Sequence, residues 1–440
     1  MKSRLILLSI LILLSVFLYI FQNYMNTLYA SVTLMSLMVL YGACMHVATK
    51  HRERKLRKNP PSVNENYKPF ITIMVPAHNE AAVIGDTVKN ITAVDYDNYE
   101  LILIDDRSDD NTAEVMQKMS ENDPRIKTLV RPKDAFPGKS AVLNDALKIA
   151  KGEAVLVFDA DARIEPDFIK RLVPKLENEE VGAVQARKVV SNREYNFLTR
   201  CQDNEMILDT YFQVGRDAVR GAVELRGNGE LIKREALEDI GGWNNYTITD
   251  DLDMSTRLHI KGWDVRFCPD VCVREEGVLT YVALLKQRRR WIEGSIRRYL
   301  ENFGDVLFSK KMSLRASIDM TAYIVEFILP FWFFAELGFQ IFRHFRYDEN
   351  RVLSSLICTG FIFLFFFAGL LYGLHKYTKL KPLQIFKQAL ETCIYFVTLW
   401  FPVVVFMVFK IIFTEKTMDW GKTEHGTVKS EVTEPEKVLN

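Results

Sequence analysis

Apolar and polar positions divide this chain into two regimes. Near both ends the apolar residues form long unbroken runs, whereas between about residues 70 and 310 they come in short bursts separated by amphipathic stretches. The first run, 5–21, follows Lys2 and Arg4, and an uncharged stretch at 22–27 leads into a second run, 28–48. Each is about long enough to cross a hydrocarbon core, for which roughly 20 residues suffice. A cleaved leader is disfavoured, because Leu28 and Tyr29 stand where a small-x-small site would have to be. Three further apolar runs occupy 320–341, 352–374 and 389–413. The expectation is a transmembrane hairpin at 1–49 and a C-terminal transmembrane region at 311–413, with a polar, disordered tail at 414–440.

Within the middle region, 71–75, 100–104, 126–130 and 154–158 read as buried strands, and 139–150 as a helix begun after Pro137-Gly138. A further helix is expected from about Glu80. Strands that are apolar throughout, alternating with helices, predict an α/β domain at 70–310 with a parallel sheet covered on both faces. In such sheets ligands bind beyond the carboxyl ends of the strands. The acidic clusters fall there.

Charge refines the topology more than the function. The net charge is +1, so nothing favours nucleic acid as a partner. Residues 50–58 carry six basic side chains directly after the second apolar run. That asymmetry places the 50–69 linker and the domain after it in the cytoplasm, at the inner face of the cell membrane in a multi-pass protein. The loop 375–387, with four lysines, is expected on the same side; the loop 342–351, with three arginines, discriminates weakly. The six cysteines form no framework, and Cys268-x-x-x-Cys272 lacks companion ligands, so packing is preferred over metal binding.

Four clusters could carry chemistry, and each has a plain structural alternative. In Asp105-Asp106-Arg107-Ser108-Asp109-Asp110, helix capping accounts for Ser108, Asp109 and Asp110, but not for two acids closing a buried strand. Asp159-Ala160-Asp161 ends a strand; in extended backbone its carboxylates point to one side and could clamp a divalent ion. Thr249-Asp250-Asp251-Leu252-Asp253 is either a helix cap or the site of a general base. Arg226-Gly227-Asn228-Gly229 before it is an ordinary turn or a place where backbone approaches a ligand. Gln287-Arg288-Arg289-Arg290-Trp291 either touches anionic lipid at an interface or brackets a diphosphate and a sugar ring.

Taken in order, Asp106, Asp159-Ala160-Asp161, Thr249-Asp250-Asp251 and Gln287-x-x-Arg290-Trp291 resemble the signature of processive-type family 2 glycosyltransferases, the cellulose, chitin, hyaluronan and poly-N-acetylglucosamine synthases among them. The resemblance spans roughly residues 70–299 and implies a GT-A-type nucleotide-sugar-binding domain flanked by transmembrane helices. It implies roles as follows. Pro76 and Glu80, in Pro76-Ala77-His78-Asn79-Glu80, belong to the nucleotide motif; Asp106 reads the uracil; Lys139 lies near the nucleotide. Asp159 and Asp161 hold the diphosphate with Mg2+ or Mn2+, and Asp251 is the base, with Asp250 replacing the commoner Glu. Asn228, Gln287, Arg290 and Trp291 bracket the diphosphate and acceptor, and His78 is structural. The implied partners are a UDP-sugar donor, a polysaccharide or lipid acceptor and membrane lipids, with room for an accessory membrane subunit. A polymerising synthase is the preferred reading, with Glu326 and Glu336 as candidate path-lining acids. One-step glycosylation of a lipid such as diacylglycerol is the alternative, and an idle nucleotide-sugar sensor is a third reading.

Overall fold

The computed structural model describes residues 2–24, 27–60, 64–322, 325–347 and 352–416. The expected polar tail therefore lies largely outside the described residues. So do the side chains of Glu326 and Glu336 and part of the 342–351 loop.

Eight strands form one sheet: β1 Ile71–Ala77, β2 Tyr99–Asp105, β3 Ile126–Val130, β4 Ala154–Val157, β5 Arg163–Ile164, β6 Val181–Val190, β7 Glu230–Lys233 and β8 Asp264–Glu275. Their spatial order is β3-β2-β1-β4-β7-β6-β8-β5. The first half is parallel, as the apolar strands predict, with Ile71 opposite both Tyr99 and Ala154. Beyond β4 the expectation of a parallel sheet fails. There β7 runs antiparallel to both β4 and β6, and β5 antiparallel to β8. The chain reaches β7 from the helix Phe197–Val219 through the Arg226–Gly229 turn, which brings it in beside β4 in the opposite direction, while β6 and β8 remain parallel.

Burial on both faces explains the unbroken apolar strands. Ile71, Ile73 and Val75 pack to one side with Leu101, Leu103, Leu156 and Phe168. Met74, Ile102, Val155 and Val157 point to the other, against Val142, Leu143, Trp243 and Met254. The helix Lys139–Leu147 covers that second face, and Asp250–Lys261 joins it.

A third cluster fastens the helix Tyr281–Phe308 to the chain ends. Its Ile292, Ile296, Tyr299 and Leu300 pack with Leu7 and with Val404, Met407, Val408 and Ile411. The basic run 50–58, expected as part of a linker, continues the helix Thr27–Lys58. Its Arg52 pairs with Asp217, which also holds Arg266 of β8.

Among the described residues, one helical stretch, Pro382–Phe413, is long and apolar enough to cross a membrane, with a mean hydropathy of 2.4 over its most apolar 18 residues. The several crossings expected from composition reduce at this level to that one candidate, and the other expected spans include residues outside the described set.

Candidate active site

At the carboxyl ends of β1 and β2 the chain builds a braced rim. Asn79, in the left-handed region at φ 56°, donates its backbone N–H to Ser108 Oγ (2.8 Å), and its side-chain oxygen accepts from Asp109 N–H (2.7 Å). Glu80 N–H donates to Thr112 Oγ1 (2.9 Å), and His78 Nδ1 donates to the Asp106 carbonyl (2.7 Å). His78 is thus a brace. The capping reading of Ser108 and Asp109 does not hold: the helix Thr112–Asn122 begins at Asn111, while Ser108 and Asp109 tie this rim to the end of β1. Asp110 does accept from Thr112 N–H (3.0 Å). Asp106 lies below the rim with no exposed surface, its carboxylate accepting from Arg131 and from Arg107 Nε (3.0 Å). Arg131 also donates to Asp145 (2.9 Å) on the helix Lys139–Leu147, which links the rim to the acidic cluster around Asp159.

That cluster centres on Asp159. Lys139, the first residue of its helix, donates from Nζ to Asp159 Oδ1 (2.6 Å) and to the Gly227 carbonyl (2.7 Å). Burial alone would lower this ammonium's pKa, but Asp159, Asp250 and Glu230 outweigh it and raise the value. Asn228 is completely buried; its Oδ1 accepts from Asp159 N–H (3.2 Å) and its Nδ2 donates to Glu275 Oε2 (3.2 Å). Beyond it, Lys188 of β6 pairs with the same Glu275 oxygen (2.8 Å), and its Nζ lies 5.9 Å from the centre of the Trp291 indole.

The Asp159–Asp161 segment is not extended. Ala162 N–H closes a turn onto the Asp159 carbonyl (3.1 Å), so the expected side-by-side presentation of a strand does not occur. Asp161 is buried and accepts from Glu276 N–H (2.9 Å).

Asp250 and Asp251 open the helix Asp250–Lys261 at its positive end, with Thr249 at the cap position but making no side-chain cap bond. Asp251 Oδ1 accepts from Leu252 N–H (2.8 Å). Gly227, at φ 77°, lets backbone pass Asp251: a Cβ there would lie 3.3 Å from Asp251 Oδ2. Recessed in the cleft and beside Asp250, the Asp251 carboxyl is pushed up to about 6, although Leu252 N–H, Arg226 and Lys139 pull it down. Glu230, at the start of β7, has no exposed surface and is raised further, to about 8, by burial and by Asp250, Asp251 and Asp159, against the pull of Lys139.

The Gln287–Trp291 segment lies on the helix Tyr281–Phe308. Gln287 Oε1 accepts from Arg288 (2.6 Å), and Arg288 is fully buried, 4.1 Å over the Trp291 ring. Arg290 is half-buried on the same helix. Arg298, two turns on, donates to Glu224 (2.8 Å) and to the Leu252 carbonyl (3.2 Å), tying this helix to the one that carries Asp251.

Lys139, Asp159, Asn228, Asp250 and Asp251 therefore share one cleft, and Trp291 borders it through Lys188. Glu80 belongs to the neighbouring rim, with Pro76 and Asp106 buried at the strand ends beneath it. Lys188, Glu230 and Glu275 were not anticipated from sequence. The signal available was a charged residue inside or at the end of an otherwise buried strand.

A divalent cation suits this donor set. Asp250 Oδ2 is a buried acceptor without a hydrogen-bond donor, and Asp159 and Asp161 bring hard carboxylate oxygens to the same cluster. Among the described residues no three His, Cys, Asp or Glu side chains converge as a complete cage. Such a site suits an ion that takes its remaining ligands from phosphate and water.

The profile described as "Glycosyltransferase like family 2" matches residues 69–294. This chain belongs to glycosyltransferase family 2. Within the family it is 37% identical over 366 residues to a beta-monoglucosyldiacylglycerol synthase of Trichormus variabilis, covering 81% of this chain and 76% of that one. It is 28% identical over 295 residues to the poly-beta-1,6-N-acetyl-D-glucosamine synthase of Staphylococcus aureus, covering 67% and 70%. In fold it resembles a mannosyltransferase from Pyrobaculum calidifontis in complex with GDP-Man and Mn2+, with a TM-score of 0.57 at 19% identity over 82% of this chain and 98% of that one. As a family 2 glycosyltransferase the chain has the expected GT-A-like α/β fold.

Proposed function

We propose that this glycosyltransferase moves one hexosyl residue, glucose by likeness, from a UDP-sugar to diacylglycerol at the inner membrane face, giving a β-glycolipid. The observation that carries the reading is the 36–37% identity to monoglucosyldiacylglycerol synthases over about four fifths of the chain. The polysaccharide synthase relative is less similar over less of it. The order of acceptors preferred from the motifs is accordingly reversed, since those motifs describe how the donor is activated and are common to both chemistries.

The chain's own groups suit a single displacement. Asp251 accepts the proton of the acceptor hydroxyl, whose oxygen forms a bond to the anomeric carbon. The bond from that carbon to the diphosphate oxygen breaks, and its electron pair leaves with the nucleotide. Attack opposite the leaving group inverts an α-linked donor to a β product. Lys139 and Lys188, two ammonium groups flanking Asp159 and Glu275, neutralise the departing diphosphate. Asp159 and Asp161 would hold Mg2+ or Mn2+. When bound, that ion supplies further charge neutralisation at the phosphates. Asp106, Pro76 and Glu80 would line the nucleotide end, Asn228 and Asp250 the floor, and Gln287, Arg290 and Trp291 the acceptor side.

The test is direct. Membranes carrying the protein are incubated with radiolabelled UDP-glucose and diacylglycerol, and label is expected in an organic-extractable lipid. Label confined to high-mass, water-soluble product would reject the lipid acceptor.

A further inference from the structure

Glu205 lies outside every sequence motif, yet three side chains from two separate helices converge on it. It sits in the helix Phe197–Val219, which begins with a capping box between Asn196 and Thr199. Its Oε2 accepts from Arg288 (2.7 Å) and from the Tyr395 hydroxyl (3.0 Å), and its Oε1 accepts from the Trp400 indole N–H (3.1 Å). Arg288 in turn lies against Trp291, the aromatic side chain bordering the catalytic cluster, while Tyr395 and Trp400 belong to the candidate membrane helix Pro382–Phe413.

The local backbone is shaped for this contact. Tyr395 and Trp400 are five residues apart, which on a regular α-helix turns them roughly 140° away from each other. Here the segment Phe396–Trp400 is a π-helical turn, with Phe401 N–H bonded to the Phe396 carbonyl. Such a turn brings residues i and i+5 into near alignment. Pro402 explains why it forms: lacking an N–H, it cannot donate to Thr398, so the α-ladder is already broken at this level. The interruption lets both side chains reach one carboxylate.

We propose that Glu205 is a positioning residue for the acceptor: it clamps Arg288, Tyr395 and Trp400 together and so fixes the Trp291 platform relative to the membrane helix. An acceptor hydroxyl presented at the membrane surface then arrives at a set distance from Asp251. The inference rests on the reading of Trp291 as part of the acceptor side and on a lipid-borne acceptor. A charged, three-fold bonded carboxylate is a rigid joint, because removing one donor leaves two others still oriented.

The experiment compares Glu205→Gln with the double variant Tyr395→Phe/Trp400→Phe, full-length and in detergent micelles with dispersed diacylglycerol. The double variant removes one O–H and one N–H while keeping an aromatic ring at each position, and its melting temperature is measured alongside to confirm that folding is retained. Expected is a rise of about tenfold in the acceptor KM for Glu205→Gln, and a several-fold rise for the double variant. UDP-glucose affinity by calorimetry should stay within about twofold for both. A wild-type acceptor KM in the double variant overturns the proposal. So does a loss of UDP-glucose affinity in Glu205→Gln as large as its rise in acceptor KM, which is the mark of a merely structural role. Failure of the lipid reading is separate: the wild type itself would then glycosylate no lipid.

Discussion

Asp251 carries the proposed proton transfer, and its surroundings set its pH range. Asp251→Asn keeps the shape and the Leu252 contact but cannot accept a proton. Transfer should fall by about 10²–10⁴-fold, the range for general-base removal, with UDP-sugar affinity nearly unchanged. Turnover at the wild-type rate would remove Asp251 from the role. The base works only when ionised, so kcat/KM should rise with pH through about 6. Glu230 has the opposite effect. Neutral below about 8, it ionises above that value and adds another negative charge beside Asp159, Asp250 and Asp251, facing an anionic donor. The profile should therefore fall again through about 8. Glu230→Gln should abolish this upper limb and leave the lower one, as read from nucleotide release across the pH range.

The helices that carry Asp251 and Trp291 touch through Gly294. A Cβ at Gly294 would lie 2.4 Å from Thr249 Cγ2 and 2.7 Å from its Oγ1, at the cap of the Asp250–Lys261 helix. Gly294→Ala must therefore push these helices apart. Overpacking of this kind typically costs about 1–3 kcal/mol, and here it also shifts the base against the acceptor platform. We expect a lower melting temperature together with a loss of transfer larger than the loss of donor binding; unchanged values for both would show that the contact yields freely. The acidic opening of the Asp250–Lys261 helix was legible from sequence, because Asp250, Asp251 and Asp253 suit a helix start. The chemical role of Asp251 was not separable from that start until Lys139, Gly227 and Glu230 appeared around it. The Ser108–Asp109 turn went the other way: it reads as a cap and instead braces the rim at the end of β1 through Asn79.

At the scale of the molecule, the catalytic domain and the terminal helices are joined by charge as well as by apolar packing. Asp217 holds Arg52 of the helix Thr27–Lys58 and Arg266 of β8, and is itself buried. Asp217→Ala leaves two guanidinium groups without their carboxylate. The expected cost is about 3 kcal/mol, the low end for a broken buried pair because Arg52 is partly exposed. It should appear as a drop in the thermal midpoint of the detergent-solubilised protein, which Arg52→Ala alone reproduces only in part. An unchanged midpoint would mean that the N-terminal helix docks by apolar contact alone.

Local pattern determined the α/β class, the first four strands, the acidic strand ends and the family, since each depends on residues near one another in the chain. Apolar strands buried on both faces, and carboxylates where those strands stop, leave few other arrangements. Strand direction beyond β4, the turn at Asp159–Asp161, the bracing of Asp106 by Arg131, and the partners Lys188, Glu230 and Glu275 were decided only by tertiary structure. So was the meeting of Arg288, Tyr395 and Trp400 at Glu205. Those contacts join residues up to 195 positions apart, and a charge inside a strand or helix does not reveal which distant partner offsets its burial until the fold brings the two together.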